Sequence, residues 1–214
     1  MIIFEETNRF SQLKESCVAT IGKFDGVHLG HQLILDQLKQ KAEQFDLPSL
    51  VILVEPHPEE FFAQDADSCP ARLTVLQEKI ELLESFGIDF VFQLKFDRQL
   101  SELSAEDYIT DILVGGLGVK SFIVGNDFRF GHQRKGNFEL LSEAGKQFGF
   151  EVAETAAYER NGHRISSTYI REQLANADFT LVEQLLGRPY SIKGEVVRGK
   201  QLGTDLGFPT CNIK

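Results

Sequence analysis

The sequence predicts an α/β fold, a parallel sheet with crossover helices, and three observations carry that expectation. Apolar runs suited to strands recur at Cys17 to Ile21, Leu50 to Val54, Phe90 to Leu94, Phe122 to Val124 and Glu151 to Ala153. Helical patterns lie between them, which is the alternation a parallel sheet requires. The first run also ends in a turn spaced by Gly22, Gly26 and Gly30 that leads into helical periodicity.

Each helix has its own signature. His31 to Phe45 carries Ile34, Leu35, Leu38 and Ala42 on one side, and Leu73, Leu76, Ile80 and Leu83 share a face further on. Ser104-Ala105-Glu106-Asp107 opens the next helix in the manner of a capping box. Asn137 is placed to cap a helix bearing Leu140, Leu141 and Ala144, and Asp178 to cap one bearing Leu181, Val182, Leu185 and Leu186. These stripes read as core. After Leu186 the pattern changes: Gly187-Arg188-Pro189 punctuates the chain, Tyr190 to Val197 alternates like a strand, and Gly199, Gly203 and Gly207 follow. Residues 1–186 therefore read as one domain, and 187–214 as a linker and the opening of a second, expected to be exposed and poorly packed from Gly199 onward.

Composition narrows the function. A net charge of −10 over 214 residues argues against a nucleic-acid partner, so any bound polyanion needs a local site. The sequence has no run of about 18 apolar residues and no basic-flanked apolar leader, so no membrane association is expected. Cys17, Cys69 and Cys211 are odd in number and far apart, which suits a reducing compartment, the cytoplasm.

The chemistry concentrates in Gly22-Lys23-Phe24-Asp25-Gly26-Val27-His28-Leu29-Gly30-His31, where two of the five histidines stand three residues apart at a strand-to-helix turn. Unpaired N–H groups and the helix dipole attract an anion there, and His28 and His31 can donate to the same group. Zinc fits less well, since no third and fourth ligand stands nearby at metal spacing. Asp25 is read either as orienting a ribose or metal-bound water, or as bracing its own turn. Ser166, Ser167 and Thr168 offer hydroxyls at a second expected helix start, flanked by Arg164 and Arg171, which makes a second phosphate grip. Asp127 follows the fourth strand, where open α/β sheets place ligands, and is expected to orient a nucleotide. Arg129 and Arg134 are either phosphate contacts or ordinary surface arginines.

Three further segments, Glu55-Pro56-His57-Pro58, Val124-Gly125-Asn126-Asp127-Phe128-Arg129-Phe130-Gly131 and Ile165-Ser166-Ser167-Thr168-Tyr169-Ile170-Arg171, occur in order with the histidine turn. Together they resemble the bacterial bifunctional riboflavin kinase and FAD synthetase family, and the resemblance extends to Leu206-Gly207-Phe208-Pro209-Thr210-Cys211-Asn212. It implies a Rossmann-like nucleotidyltransferase domain that joins FMN to the AMP part of ATP, followed by the first part of a β-barrel that phosphorylates riboflavin. Departures are few: Val54, Asn137, Cys211 and the Leu202 to Asp205 stretch differ from the family's usual residues.

On that resemblance His28 and His31 stabilise the α-phosphate and the leaving pyrophosphate, with Ser167, Thr168, Arg164 and Arg171 assisting. Gly22, Phe24, Asp25, Gly26, Gly30, Asp127 and Ser166 border the nucleotide. Pro56, His57, Pro58, Phe62, Tyr108 and Phe128 border the flavin, although with 18 phenylalanines in the chain core packing competes for any one ring. Ala63 to Ala71 reads as a mobile lid or substrate loop. Mg²⁺ is expected on the phosphates and water of ATP, with no dedicated protein metal site. Thr210 and Asn212 resemble kinase contacts to Mg-ATP, but no riboflavin kinase activity is expected from these 214 residues. The competing readings are an adenylyltransferase for another phosphorylated acceptor and a flavin- or nucleotide-binding regulator without turnover. Oligomeric state stays open.

Overall fold

A computed structural model describes the chain except for residues 13, 14, 66–68, 161, 200, 201, 206, 209 and 214. In chain order the first half comprises β1 (Ile2–Phe4), α1 (Thr7–Ser11), β2 (Cys17–Gly22), α2 (Leu29–Phe45), β3 (Ser49–Glu55), α3 (Pro58–Phe62), α4 (Leu76–Ser85), β4 (Phe90–Lys95) and α5 (Arg98–Glu102). There follow α6 (Ala105–Asp107), which runs into a π-helical stretch Tyr108–Gly116, then β5 (Val119–Gly125), α7 (Phe138–Phe148), β6 (Glu151–Thr155), β7 (Glu159–Arg160), β8 (His163–Arg164), α8 (Ser167–Ala175) and α9 (Phe179–Leu186). Beyond these lie β9 (Val196–Val197), α10 (Leu202–Asp205) and β10 (Asn212–Ile213).

Six strands form one parallel sheet in the order β1-β4-β3-β2-β5-β6. The five predicted runs are its interior and one edge, and β1 is an addition. Period-two alternation sends Cys17, Ala19, Leu50, Ile52, Phe122 and Val124 to one core layer. Val18, Val51, Leu53 and Ile123 go to the other, where they meet Leu35 and Leu38 of α2 and Leu83 of α4. Because both faces are covered, the central strands read as near-continuous apolar runs.

The predicted caps form. Asn137, Asp178 and Ser104 accept from the backbone N–H of Leu140, Leu181 and Asp107 at 2.9, 3.0 and 3.0 Å. Two expectations are corrected. Leu73 does not belong to the helix of Leu76, Ile80 and Leu83; the Asp25 carboxylate accepts the N–H groups of Leu73 and Thr74, which holds that segment in a bend and turns Leu73 into a third cluster with Ile165, Ile170 and Val182. The alternating stretch Tyr190 to Val197 forms a strand only at Val196–Val197, paired with Asn212–Ile213. Alternation stabilises a strand when a second layer covers its apolar side, and Ile192, Val196 and Phe208 are exposed. The lid-like segment Ala63 to Ala71 includes 66–68, and the glycine-rich tail includes 200, 201, 206, 209 and 214, all outside the described residues. Among the described residues no helix is long and apolar enough to cross a membrane.

Candidate functional site

The connection from β2 goes one way in the sheet to β3, while β5 lies on its other side. Such a switch point opens a crevice beyond the carboxyl ends of the strands. Here it is a cleft of about 990 Å³ whose floor includes Gly22 of β2, Val54 of β3, Leu94 of β4, Gly125 of β5 and Thr155 of β6. This lies at the upper end of the range for ligand pockets, about 300–1,000 Å³.

His28 and His31 stand at its wall, at the start of α2. His28 is the residue before the first helical turn, and its Nδ1 accepts the backbone N–H of His31 at 3.3 Å. That bond fixes the tautomer, so the proton of a neutral His28 is on Nε2. The two rings stack with centroids 3.7 Å apart, and Phe24 lies 5.0 Å from His31. Burial pushes the His28 imidazole down to about 4, against the opposing pull of the Asp25 carboxylate. His31 is held well below its ordinary value, by burial first and then by the neighbouring His28, Lys23 and Lys79. Both rings are therefore neutral at pH 7 and act as donors without carrying charge. His31 Nδ1 is buried without a hydrogen-bond partner among the described residues.

Glycine is needed in this turn for two different reasons. Gly26 has φ +82°, and an added Cβ would meet Leu73 at 2.9 Å. Gly30 has ordinary helical backbone, but a Cβ there would stand 3.2 Å from the His28 ring. Phe24 and Val27 hold positive φ of 49° and 39° without being glycine, at about 1–3 kcal/mol each, so the surroundings must hold them in place. They do so from four sides. Gly26 N–H donates to Thr74 Oγ1 at 2.9 Å, Arg188 donates to the Gly26 carbonyl at 2.9 Å, Gln32 bridges the carbonyls of Val27 and Leu186, and Ser167 Oγ donates to the Asp25 carbonyl at 2.9 Å.

Asp25 is buried, and its carboxylate accepts from Leu73, Thr74 and the Arg171 guanidinium. Of the two readings offered for it, bracing describes the contacts, although it braces residues 71–74 and α8 in place of its own turn. Arg171 also donates to the Ala71 carbonyl at 2.5 Å, so its guanidinium serves as a clasp at the cleft wall. Ser166 caps α8 by accepting the Tyr169 N–H at 3.2 Å. The Ser167 proton is given to Asp25, which leaves the exposed Thr168 and the N–H groups of this helix start facing the cleft. Arg164 pairs with Asp127 at 2.7 Å, both partly exposed, so these two predicted nucleotide contacts meet across the cleft.

The proposed flavin side divides. Pro58, Phe62, Tyr108 and Phe128 line the cleft. Phe62 is 65 % exposed and packs edge-on against Phe61 and Phe96. Phe128 stacks on Phe130 at 5.4 Å, and Tyr108, only 3 % exposed, tilts against the same ring with its hydroxyl unpartnered among the described residues. Pro56 and His57 are not among the residues that line the cleft. His57 is buried with Nε2 3.1 Å from Lys79 Nζ, and its backbone N–H donates to Glu60 at 3.1 Å. Around it Arg72 engages both Glu55 and Glu60, and Lys79 engages Glu55. None of Arg72, Lys79, Thr74, Gln32 and Arg188 stood out as a site residue in the sequence. Lys79 alone left a signal, since it completes the i, i+3, i+4, i+7 stripe of Leu76, Ile80 and Leu83 where an apolar residue belongs.

Comparison with known proteins matches two segments of the chain to family models. Residues 10–169 match the family model described as FAD synthetase, and residues 186–214 match that of riboflavin kinase. The bifunctional riboflavin kinase/FMN adenylyltransferase of Escherichia coli (strain K12) is 47 % identical over 200 residues, 94 % of this chain and 63 % of that protein. The protein of the same description from Haemophilus influenzae is 47 % identical over 204 residues, 95 % of this chain and 66 % of that one. The chain thus spans somewhat less than two thirds of these relatives. A crystal structure titled as a macrolide-efflux protein from Streptococcus pneumoniae superposes with a TM-score of 0.82 at 25 % identity, covering 100 % of this chain and 68 % of that one. A pantoate-beta-alanine ligase from Francisella tularensis, solved in complex with beta-gamma ATP and beta-alanine, shares the fold alone: TM-score 0.53, 14 % identity, covering 97 % and 85 % of the two chains.

Proposed function

Because the chain belongs to the FAD synthetase family, we propose that it transfers the adenylyl group of ATP to the phosphate of FMN, giving FAD and pyrophosphate. The observation that carries this reading is the stacked His28–His31 pair at the start of α2, facing a cleft that Arg164 and the start of α8 close from the other side. An FMN phosphate oxygen forms a bond to the α-phosphorus of ATP as the bond from that phosphorus to the bridging oxygen of pyrophosphate breaks. No protein nucleophile is needed; catalysis rests on positioning and on donors aimed at the growing charge. His28 offers Nε2–H, the orphaned polar atom of His31 is one a ligand can satisfy, and the helix N–H groups add partial positive charge. Neutral imidazoles suit this task, because they donate to phosphate oxygens without locking pyrophosphate in an ion pair.

Mg²⁺ enters this reading with ATP, on its phosphates and water. The carboxylates nearest the phosphate loop support that, since Asp25 is committed to Arg171, Asp127 to Arg164 and Glu59 to Lys23. The exposed Phe62 and the Phe128–Phe130 stack are the faces we assign to the isoalloxazine ring. Residues 187–214 are assigned to the opening of a riboflavin kinase module, which the family match at 186–214 supports. The free thiols of Cys17, Cys69 and Cys211 accord with a cytoplasmic enzyme.

The test is incubation with FMN, ATP and Mg²⁺ and measurement of FAD and pyrophosphate. Equimolar formation of both is expected, with the rate falling by about 100-fold in His28→Ala, as for loss of one preorganised donor. Binding of both substrates with no pyrophosphate released would refute the reading.

A further inference from the structure

We infer that Lys79 is a positioning residue for adenylyl transfer: its ammonium holds the Lys23 carbonyl, and through it the turn that presents His28 and His31. The inference rests on the adenylyl-transfer reading above and concerns a residue that does not line the cleft.

Lys79 lies on α4 with its side chain 0 % exposed. A wholly buried ammonium is costly unless its protons find acceptors, and here the Glu55 carboxylate and the Lys23 carbonyl at 3.2 Å accept from it, with His57 Nε2 3.1 Å away. Neutralising Glu55 does not by itself require Lys79, because Arg72 already reaches both Glu55 oxygens at 3.3 and 2.8 Å while engaging Glu60 as well. Among the described residues, Arg72 makes no hydrogen bond to the phosphate turn; its partners are Glu55 and Glu60. Among the described residues, the bond from Lys79 to Lys23 is the one that joins the buried ion cluster to the first residue after β2. The next residue, Phe24, has positive φ, and Val27 N–H returns to the Phe24 carbonyl at 3.1 Å to close the turn. A carbonyl fixed at Lys23 therefore fixes the peptide plane from which this strained turn starts. Its far end is the His28 cap.

Two isosteric changes separate positioning from charge balance. Lys79→Met removes the donor to Lys23 and leaves Glu55 paired with Arg72. Glu55→Gln removes the ion pair and leaves an oxygen to accept from Lys79, whose bond to Lys23 survives. At a temperature where thermal unfolding shows all proteins folded, Lys79→Met is expected to lower kcat by about 10- to 100-fold, as for a sub-ångström to 1 Å misplacement of catalytic groups. The KM for ATP should change by less than about threefold, because Lys79 touches no substrate. Glu55→Gln is expected to keep kcat within about twofold of the parent. Backbone hydrogen exchange at Gly26 and Val27, read without substrates, should quicken in Lys79→Met and not in Glu55→Gln. Lys79→Gln, polar enough to face Glu55 but one bond too short to reach Lys23, carries the same expectation as Lys79→Met. Equal losses in the Lys79 and Glu55 variants, or full kcat in a folded Lys79 variant, would overturn the inference. A parent protein that makes no FAD would sink the adenylyl-transfer reading instead, and the exchange data would still decide whether Lys79 holds the turn.

Discussion

Gly30→Ala separates the demands of the helix from those of the site. Gly30 lies in the first turn of α2 with ordinary helical backbone, so alanine is compatible with its φ and ψ. Replacing helical glycine by alanine gains up to about 1 kcal/mol, part of it from the unfolded chain. The new Cβ, however, would stand 3.2 Å from Cε1 and 3.2 Å from Nδ1 of His28, and 3.5 Å from the Ile165 carbonyl. The first two distances are a few tenths of an ångström too tight, and the ring is the part free to give. It is also stacked on His31 at 3.7 Å and bonded to the His31 N–H at 3.3 Å, so moving it turns Nε2 within the cleft. Complete loss of such a donor costs about 100-fold, and a partial displacement should cost about 10-fold in kcat. The expected result is a protein whose melting temperature is unchanged or raised by up to about 2–4 °C, but whose FAD synthesis is slower by that factor. Thermal unfolding and chromatographic detection of FAD measure the two effects independently. Unchanged kcat in a folded Gly30→Ala protein would show that the His28 ring position does not govern the reaction.

Other perturbations test other parts of the site. Asp25→Ala strands the Arg171 charge and the N–H groups of Leu73 and Thr74, and should cost about 3–5 kcal/mol by urea unfolding; a loss under about 1 kcal/mol would contradict the bracing role. Arg164→Ala leaves Asp127 uncompensated in the cleft and should raise the KM for ATP by about tenfold, whereas adding Asp127→Asn should recover part of the loss. Stability should fall as pH drops from about 6.5 towards 4, because unfolded His28 takes up its proton near 6.5 and the folded residue only near 4. His28 alone contributes about 2 kcal/mol between pH 7.5 and 5, with His31 and His57 acting in the same direction. His28→Asn, which retains a capping side chain, should flatten that slope, and an unchanged slope would place the titration elsewhere.

What could be read from the sequence follows from how local each feature is. The strand runs, the caps at Asn137, Asp178 and Ser104, and the histidine turn are set by residues within a few positions of one another, and they appear where the pattern puts them. Tertiary partners were not legible. Asp25 offered two local readings, while its contacts are with Leu73, Thr74 and Arg171, 48 to 146 residues away. Ser167 stands at a helix start, as a phosphate donor would, and in the structure its hydroxyl donates to the Asp25 carbonyl, 142 residues earlier, a contact no local pattern shows. Leu73 fits the helical stripe of α4 by spacing, but two N–H bonds to one buried carboxylate outweigh one more turn of helix.

The Glu55-Pro56-His57-Pro58 segment shows why a motif's residues need not share a task. Pro58 and, one helix turn on, Phe62 border the cleft, while Glu55 and His57 point into the ion cluster that reaches Lys79. The segment passes from the last residue of β3 through Pro56 and His57 into the first turn of α3, so its side chains leave it in different directions. One face of this segment is thus available to a ligand, and the other can only brace what lies beneath. Beneath it is the carbonyl of Lys23, so the same short segment that borders the proposed flavin side also supports, through Lys79, the turn that carries His28. A substitution at His57, which packs on Lys79, should therefore report on the phosphate turn before it reports on flavin affinity, whereas Glu55→Gln, which keeps an acceptor for Lys79, should leave both unchanged.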